Sequence, residues 1–237
     1  LQIECRGDSI VKLDTGKKRI SPIGQKETHK FLSALNDFYR TSRFNDFFNT
    51  HTDIYELGLQ VFNDSVMAHF DQEWYTRFYG TPPAEQFRII IGFTNGPCNY
   101  GPSRKLTGQP KEVFAIMNYA VDDNERPIFY KKVVETVVHE FCHSFTKIKG
   151  DTEKALEKSG KALQEYTYFS MRRQAYSTWR NILEESLVRA ATICYLIDHN
   201  YDEKDIRNAI IEQVDRNFFW MPELVQTLRY YESHLSL

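Results

Sequence analysis

No apolar run in the 237-residue sequence approaches the roughly 20 residues that a helix needs to cross a bilayer, which excludes a membrane-spanning helix. Cysteine is scarce. Cys5, Cys98, Cys142 and Cys194 are widely spaced and form no C-x-x-C pair, so a zinc site built from cysteine is unsupported. Charge of one sign is not in excess either: 30 basic against 32 acidic side chains leave a formal charge of -2. The two signs are mixed along the chain and offer no electrostatic footprint for nucleic acid or an anionic membrane. The short basic runs Lys17-Lys18-Arg19 and Lys131-Lys132 read as solvated surface. Low-complexity tracts, fixed-period repeats and flexible linkers are also missing. With 41% hydrophobic and 26% charged residues, this is the composition of an ordinary folded protein.

What is present is concentrated between Val133 and Phe145, where His139, Glu140 and His143 form an H-E-x-x-H pattern. On a helix, positions four apart stand one above the other, so two imidazoles can close on one tetrahedral cation. Glu140 then points beside the metal, placed to take a proton from a water that zinc activates. Chance supplies roughly 0.03 such matches in a chain of this composition, counting every acidic residue as Glu. Helical periodicity supports the site. At about 100° per residue, Val133, Val134, Val137, Val138, Phe141 and Phe145 fall between about 0° and 140°, while His139 and His143 fall near 240° and 280°, opposite the apolar stripe. Cys142 lies between motif positions, and a small buried apolar role suits it better than that of a nucleophile.

A zinc hydrolase of this type needs a third protein ligand, commonly Glu. The segment from Trp179 to Asp198 reads as an amphipathic helix whose apolar face carries Trp179, Ile182, Leu183, Ser186, Leu187, Ala190 and Cys194. Asn181, Glu185, Arg189 and Thr192 occupy the other face. Glu185 is the better candidate because it shares that stripe. Glu184, the alternative, lies toward Arg180, Val188 and Tyr195. An exposed Glu185 to Arg189 pair at i,i+4 would look the same in sequence.

The H-E-F-C-H motif followed by Glu184-Glu185-Ser186-Leu187-Val188-Arg189 resembles the gluzincin metallopeptidases, in which a Glu on a later helix completes the zinc site. The resemblance implies Zn2+ held by His139, His143 and Glu185, and Glu140 as general base for hydrolysis of a peptide or protein substrate. Aligned in this way, Arg189 stands where thermolysin-like enzymes carry an Asp, and Glu184 where they carry Asn. A closer likeness is to a domain of unknown function, a family of exported bacterial metallopeptidases. It rests on W-Y-T-R-F-Y-G (Trp74 to Gly80), N-G-P-C-N-Y-G (Asn95 to Gly101), V-H-E-F-C-H-S-F (Val138 to Phe145) and E-S-L-V-R-A (Glu185 to Ala190). It implies an exported protein, and the start at Leu1 rather than Met fits a chain whose leader has been removed.

The resemblance further suggests Val113 to Ala120 as an edge strand that binds extended substrate, and Tyr100 as a donor to the developing oxyanion. A turn-stabilising role fits Asn99-Tyr100-Gly101 as well. Arg189 is a candidate to fix a substrate carboxylate or to orient Glu185. Two other functional classes remain: a catalytically silent zinc-binding or peptide-binding domain, and a helical interaction protein with an accidental motif.

The remaining patterns predict an α+β fold, mostly helical, with a small sheet packed beside the motif helix, as one domain over 1–237. A strand and helix region covers 1–80, with one or two strands in residues 1–14, turn signals at Asp8 and Asp14-Thr15-Gly16, and helices over Thr28 to Arg40, Thr52 to Phe70 and Asp71 to Tyr79. Strands at Phe87 to Phe93 and Val113 to Ala120 precede the motif helix in 87–149. The 151–237 part is helical, with Glu153 to Arg173, Trp179 to Asp198, Asp202 to Arg216 and Pro222 to Ser233.

Overall fold

The computed structural model describes residues 3–7, 9–12, 24–81, 83–94, 96, 98–106, 108–130 and 132–234. It is mostly helical with small sheets, as the sequence patterns predict; among the described residues there are three sheets, where one was expected. The turn signals Asp8 and Asp14 to Gly16, and the basic run 17–19, lie outside the described residues.

Strands β1 (Ile3–Arg6) and β2 (Ser9–Lys12) form an antiparallel hairpin. The amide of Asn36 on helix α1 (Gly24–Thr41) donates to Ile10 O and accepts from Ile10 N, both at 2.8 Å, which tethers the hairpin to the helix. Helices α2 (Phe44–Thr50) and α3 (Thr52–Ser65) follow. The expected helix to Phe70 ends at Ser65 and passes into one 3-10 turn at Met67–His69. Its last residues, Asn63-Asp64-Ser65, favour bonds to nearby backbone over helix continuation. Helix α4 (Trp74–Tyr79) is closed by Gly80 at φ 72°, a left-handed conformation that a side chain would strain.

The main sheet has three strands: β3 (Gln86–Ile91), β4 (Ser103–Lys105) and β5 (Lys111–Met117), in the order β3-β5-β4. β3 runs parallel and β4 antiparallel to β5. This corrects the expectation that Val113 to Ala120 is an edge strand. The chain after Cys98 folds back along β5: Tyr100 and Ile116 exchange backbone hydrogen bonds at 3.0 and 2.8 Å, and Phe114 N donates to Pro102 O at 2.9 Å. Both margins of β5 are therefore paired. Glu112, buried near the start of β5, receives Arg88 from β3 at 2.6 Å and Arg104 from β4 at 2.7 Å, so one carboxylate stitches three strands. Ala120 belongs to a separate hairpin of β6 (Ala120–Val121) and β7 (Pro127–Ile128).

Helix α5 (Lys132–Cys142) packs on this sheet, with the Phe141 ring stacked on Phe87 of β3 at 4.2 Å. Helices α6 (Gly150–Tyr166) and α7 (Tyr168–Arg173) divide at Thr167 where one helix was expected; the Thr167 hydroxyl turns back to Leu163 O at 2.7 Å. Helix α8 (Trp179–Asp198) matches its predicted bounds, and α9 (Glu203–Asp215) and α10 (Met221–Ser233) complete the chain. α8 is not half-solvated as its pattern suggested. Every residue from Ala190 to Leu196 is buried, because α5, α6, α9 and α10 all pack against it. The apolar core runs without interruption from Phe62 on α3 to Val225 on α10 and draws on all three sequence regions.

Cys142 and Cys194 lie in that core, and burial pushes both thiols up to about 12, whereas Cys5 and Cys98 are exposed. Thiol titration of the native protein is expected to count the two exposed cysteines, with the buried pair reacting only after denaturation. Fast native reaction of a third thiol would contradict the packing.

Candidate metal centre

The burial of Val134, Val137, Val138 and Phe141 fixes the roll of α5 about its axis. His139 and His143 then emerge on the opposite side, as the angular reading predicts, with Glu140 beside them. The regular helix ends at Cys142. Ser144 N donates to Phe141 O at 3.1 Å and Phe145 N to Cys142 O at 3.0 Å, tightening the last turn under His143. Two aromatic contacts hold this end in place: the Tyr75 hydroxyl donates to Val138 O at 3.2 Å, and the Tyr79 ring stacks on Phe145 at 4.3 Å.

α8 brings the third group. Its start is capped by Thr178, whose hydroxyl accepts from Asn181 N at 3.2 Å, and two turns on Glu185 reaches the histidines. His139 Nε2 lies 3.5 Å from Glu185 Oε1, and His143 Nε2 lies 3.7 Å from Glu185 Oε2. One ligand atom from each of the three residues falls within 4.8 Å of the others, an arrangement that could hold a metal ion. A tetrahedral ion with bonds of about 2.0–2.1 Å separates its ligand atoms by roughly 3.3 Å; the two histidine-to-carboxylate distances, each to a different Glu185 oxygen, are somewhat longer. The donors suit such an ion in charge as well. Burial lowers His139 to about 4, against the pull of Glu185, and lowers His143 for the same reason, so both imidazoles are neutral near pH 7. Burial works to raise Glu185, but its coupling to His139, the Arg189 guanidinium in direct contact and the Tyr176 hydroxyl together hold the carboxyl below its ordinary value.

Glu184, the alternative ligand, turns away. Its oxygens accept from Lys147 Nζ and Ile148 N, both at 3.0 Å, which anchors the loop between α5 and α6. Arg189 contacts Glu185: its guanidinium lies 2.8 Å from Oε1, and the Tyr176 hydroxyl donates to the same oxygen at 3.0 Å. Sequence reasoning missed Tyr176, which lies in the short connection between α7 and α8, where neither motif nor periodicity marks it. Tyr100 is 49% exposed, and its backbone, paired with Ile116, makes the structural contact. Its neighbour Gly101 is the residue that meets the motif: a Cβ there would sit 2.2 Å from Glu140 Oε2. Glu140 is half-buried against this bare backbone, and burial, reinforced by the charge of Glu185, pushes its carboxyl up to about 7.

A family model described as "Domain of unknown function (DUF4932)" matches residues 3–235. The chain belongs to this family. No curated protein and no solved structure matches it. The four stretches on which the family likeness rested converge on this centre in the DUF4932 fold. Tyr75 and Tyr79 brace the end of α5, Gly101 backs Glu140, and the other two stretches carry the three candidate ligands.

Proposed function

We propose that the chain is a zinc-dependent peptidase in which His139, His143 and Glu185 hold the ion and Glu140 is the general base. The observation that carries this reading is the arrival of Glu185, from a separate helix, within 3.5 and 3.7 Å of the two motif histidines. A set of two imidazoles and one carboxylate suits zinc, whereas calcium and magnesium favour all-oxygen sites. Zinc, when bound, supplies a Lewis acid that lowers the pKa of water to about 7 and polarises a carbonyl. Glu140 accepts the proton of the attacking water and returns it to the departing amine. A carboxyl pushed up to about 7 has the proton affinity for both transfers near neutral pH. Gly101 leaves the room that the Glu140 carboxylate occupies, since a Cβ there would meet Oε2 at 2.2 Å. The peptide class of substrate is drawn from the H-E-x-x-H likeness.

The test is metal content first and cleavage second. Protein purified without chelator is expected to carry one zinc per chain and to cleave a mixed peptide library, with cleavage abolished by chelation and restored by zinc. His143→Ala should weaken zinc binding by at least about a hundredfold, one ligand's share of a binding free energy of roughly 10–16 kcal/mol. Absence of stoichiometric metal, with none taken up when zinc is added, would remove the reading.

A further inference from the structure

Glu185 carries more contacts than a metal ligand requires, and they fall unevenly on its two oxygens. Oε1 receives the Tyr176 hydroxyl at 3.0 Å and the Arg189 guanidinium at 2.8 Å. Arg189 also donates to the Tyr176 oxygen at 3.1 Å, so the three groups close a triangle in which the tyrosine accepts from arginine and donates to glutamate. The guanidinium is itself fixed: its other terminal nitrogen donates to Gln213 on α9, and its face lies 4.9 Å from the Phe218 ring centroid. Its side chain is only 11% exposed. Oε1 also lies 3.5 Å from His139 Nε2, while Oε2 lies 3.7 Å from His143 Nε2 and is not the oxygen that Tyr176 and Arg189 contact.

We propose that Tyr176 and Arg189 act as a clamp that commits Glu185 to the ion through Oε2 alone. The inference rests on the metal-site reading above and adds to it how the third ligand is presented. A carboxylate oxygen that already accepts a hydrogen bond and pairs with a guanidinium is a poor further donor to a metal. The opposite oxygen accepts no hydrogen bond among the described residues. The clamp therefore favours a single bond from Glu185 over a chelating pair, keeping the site at three protein ligands with a position open for water or substrate. Tyr176 and Arg189 are positioning residues, since they reach the ion only through Glu185.

The experiment uses cobalt and zinc on the full chain, with Tyr176→Phe, Arg189→Met and Arg189→Lys. Cobalt-loaded wild type is expected to show the intense visible bands of a four-coordinate ion. In Tyr176→Phe and Arg189→Met those bands should weaken as Oε1 joins the ion, and zinc affinity should fall by about 10- to 100-fold, the usual effect of losing a group that orients a ligand. Arg189→Lys, which keeps the charge but loses the planar fork, should restore only part of the affinity. Tyr176→Phe deletes a single hydroxyl and decides the matter if Arg189→Met does not fold. A cobalt spectrum superimposable on wild type, with zinc affinity within threefold, overturns the clamp and leaves the metal site standing. Failure of the wild type to take up cobalt or zinc overturns both.

Discussion

Glu140→Gln is expected to retain one zinc per chain and to lose cleavage of a mixed peptide library by about 10³-fold, within the range for a general base. The amide fills the same volume against Gly101, so the fold and the two histidines on either side are undisturbed. What disappears is the capacity to accept a proton. Equal cleavage by variant and wild type would remove Glu140 from the reaction, and loss of zinc from the variant would show that it is a ligand instead. The same substitution should alter stability in the metal-free protein with a definite sign. The folded-state pKa of Glu140, about 7, stands above the ordinary value of 4.5, so ionisation is harder in the folded protein than in the unfolded chain. Its favourable contribution is present in full below about pH 4.5 and is lost as pH rises through about 7. Chelated Glu140→Gln protein should therefore melt higher than chelated wild type at pH 8 and at the same temperature at pH 4. A higher melting temperature confined to the acid side would contradict the burial of this carboxyl.

Gly101→Ala should lower cleavage by about a hundredfold while leaving zinc content and melting temperature near those of wild type. A Cβ at this position would meet Glu140 Oε2 at 2.2 Å, and the contact is with the free end of a side chain, which can rotate away at little cost in stability. Rotation carries the carboxylate out of line, and a displacement of about 1 Å at a reacting group can cost about 10²-fold in rate. The paired variant Gly101→Ala, Glu140→Asp supplies the control. Shortening the acid by one methylene makes room for the new methyl group, so the alanine should cost far less in the aspartate background than in the glutamate background. Additive losses would mean that Gly101 matters for the loop and not for Glu140.

The long, strongly periodic segments were the legible part of the sequence. α5 and α8 bury most of their apolar residues, and the side on which His139 and His143 stand, with Glu185 rather than Glu184 meeting them, agrees with counting residues. What was not legible depended on contacts between distant segments. β5 carries the composition of an edge or a central strand equally well, and only the return of Tyr100 to Lys105 along its margin, held by Glu112 between Arg88 and Arg104, places it at the centre. Tyr176 gave no signal because its role is set by where α7 ends and α8 begins, and for Arg189 the sequence left an exposed i,i+4 pair open beside a role at Glu185, because the burial that separates the two comes from the helices packed on α8. The early ends of α3 and α6 reflect local competition by Asn63-Asp64-Ser65 and Thr167, which periodicity does not register.

The encasement of α8 bears on which ions the centre would admit. A helix enclosed over Ala190 to Leu196 has little freedom to slide or tilt, so the gap between Glu185 and the imidazoles behaves as a caliper of fixed opening. Ions that need oxygen contacts of about 2.3–2.6 Å would have to force that gap wider against a packed interior. Discrimination by radius would thus originate in the hydrophobic jacket of one helix, well away from the atoms that touch the ion.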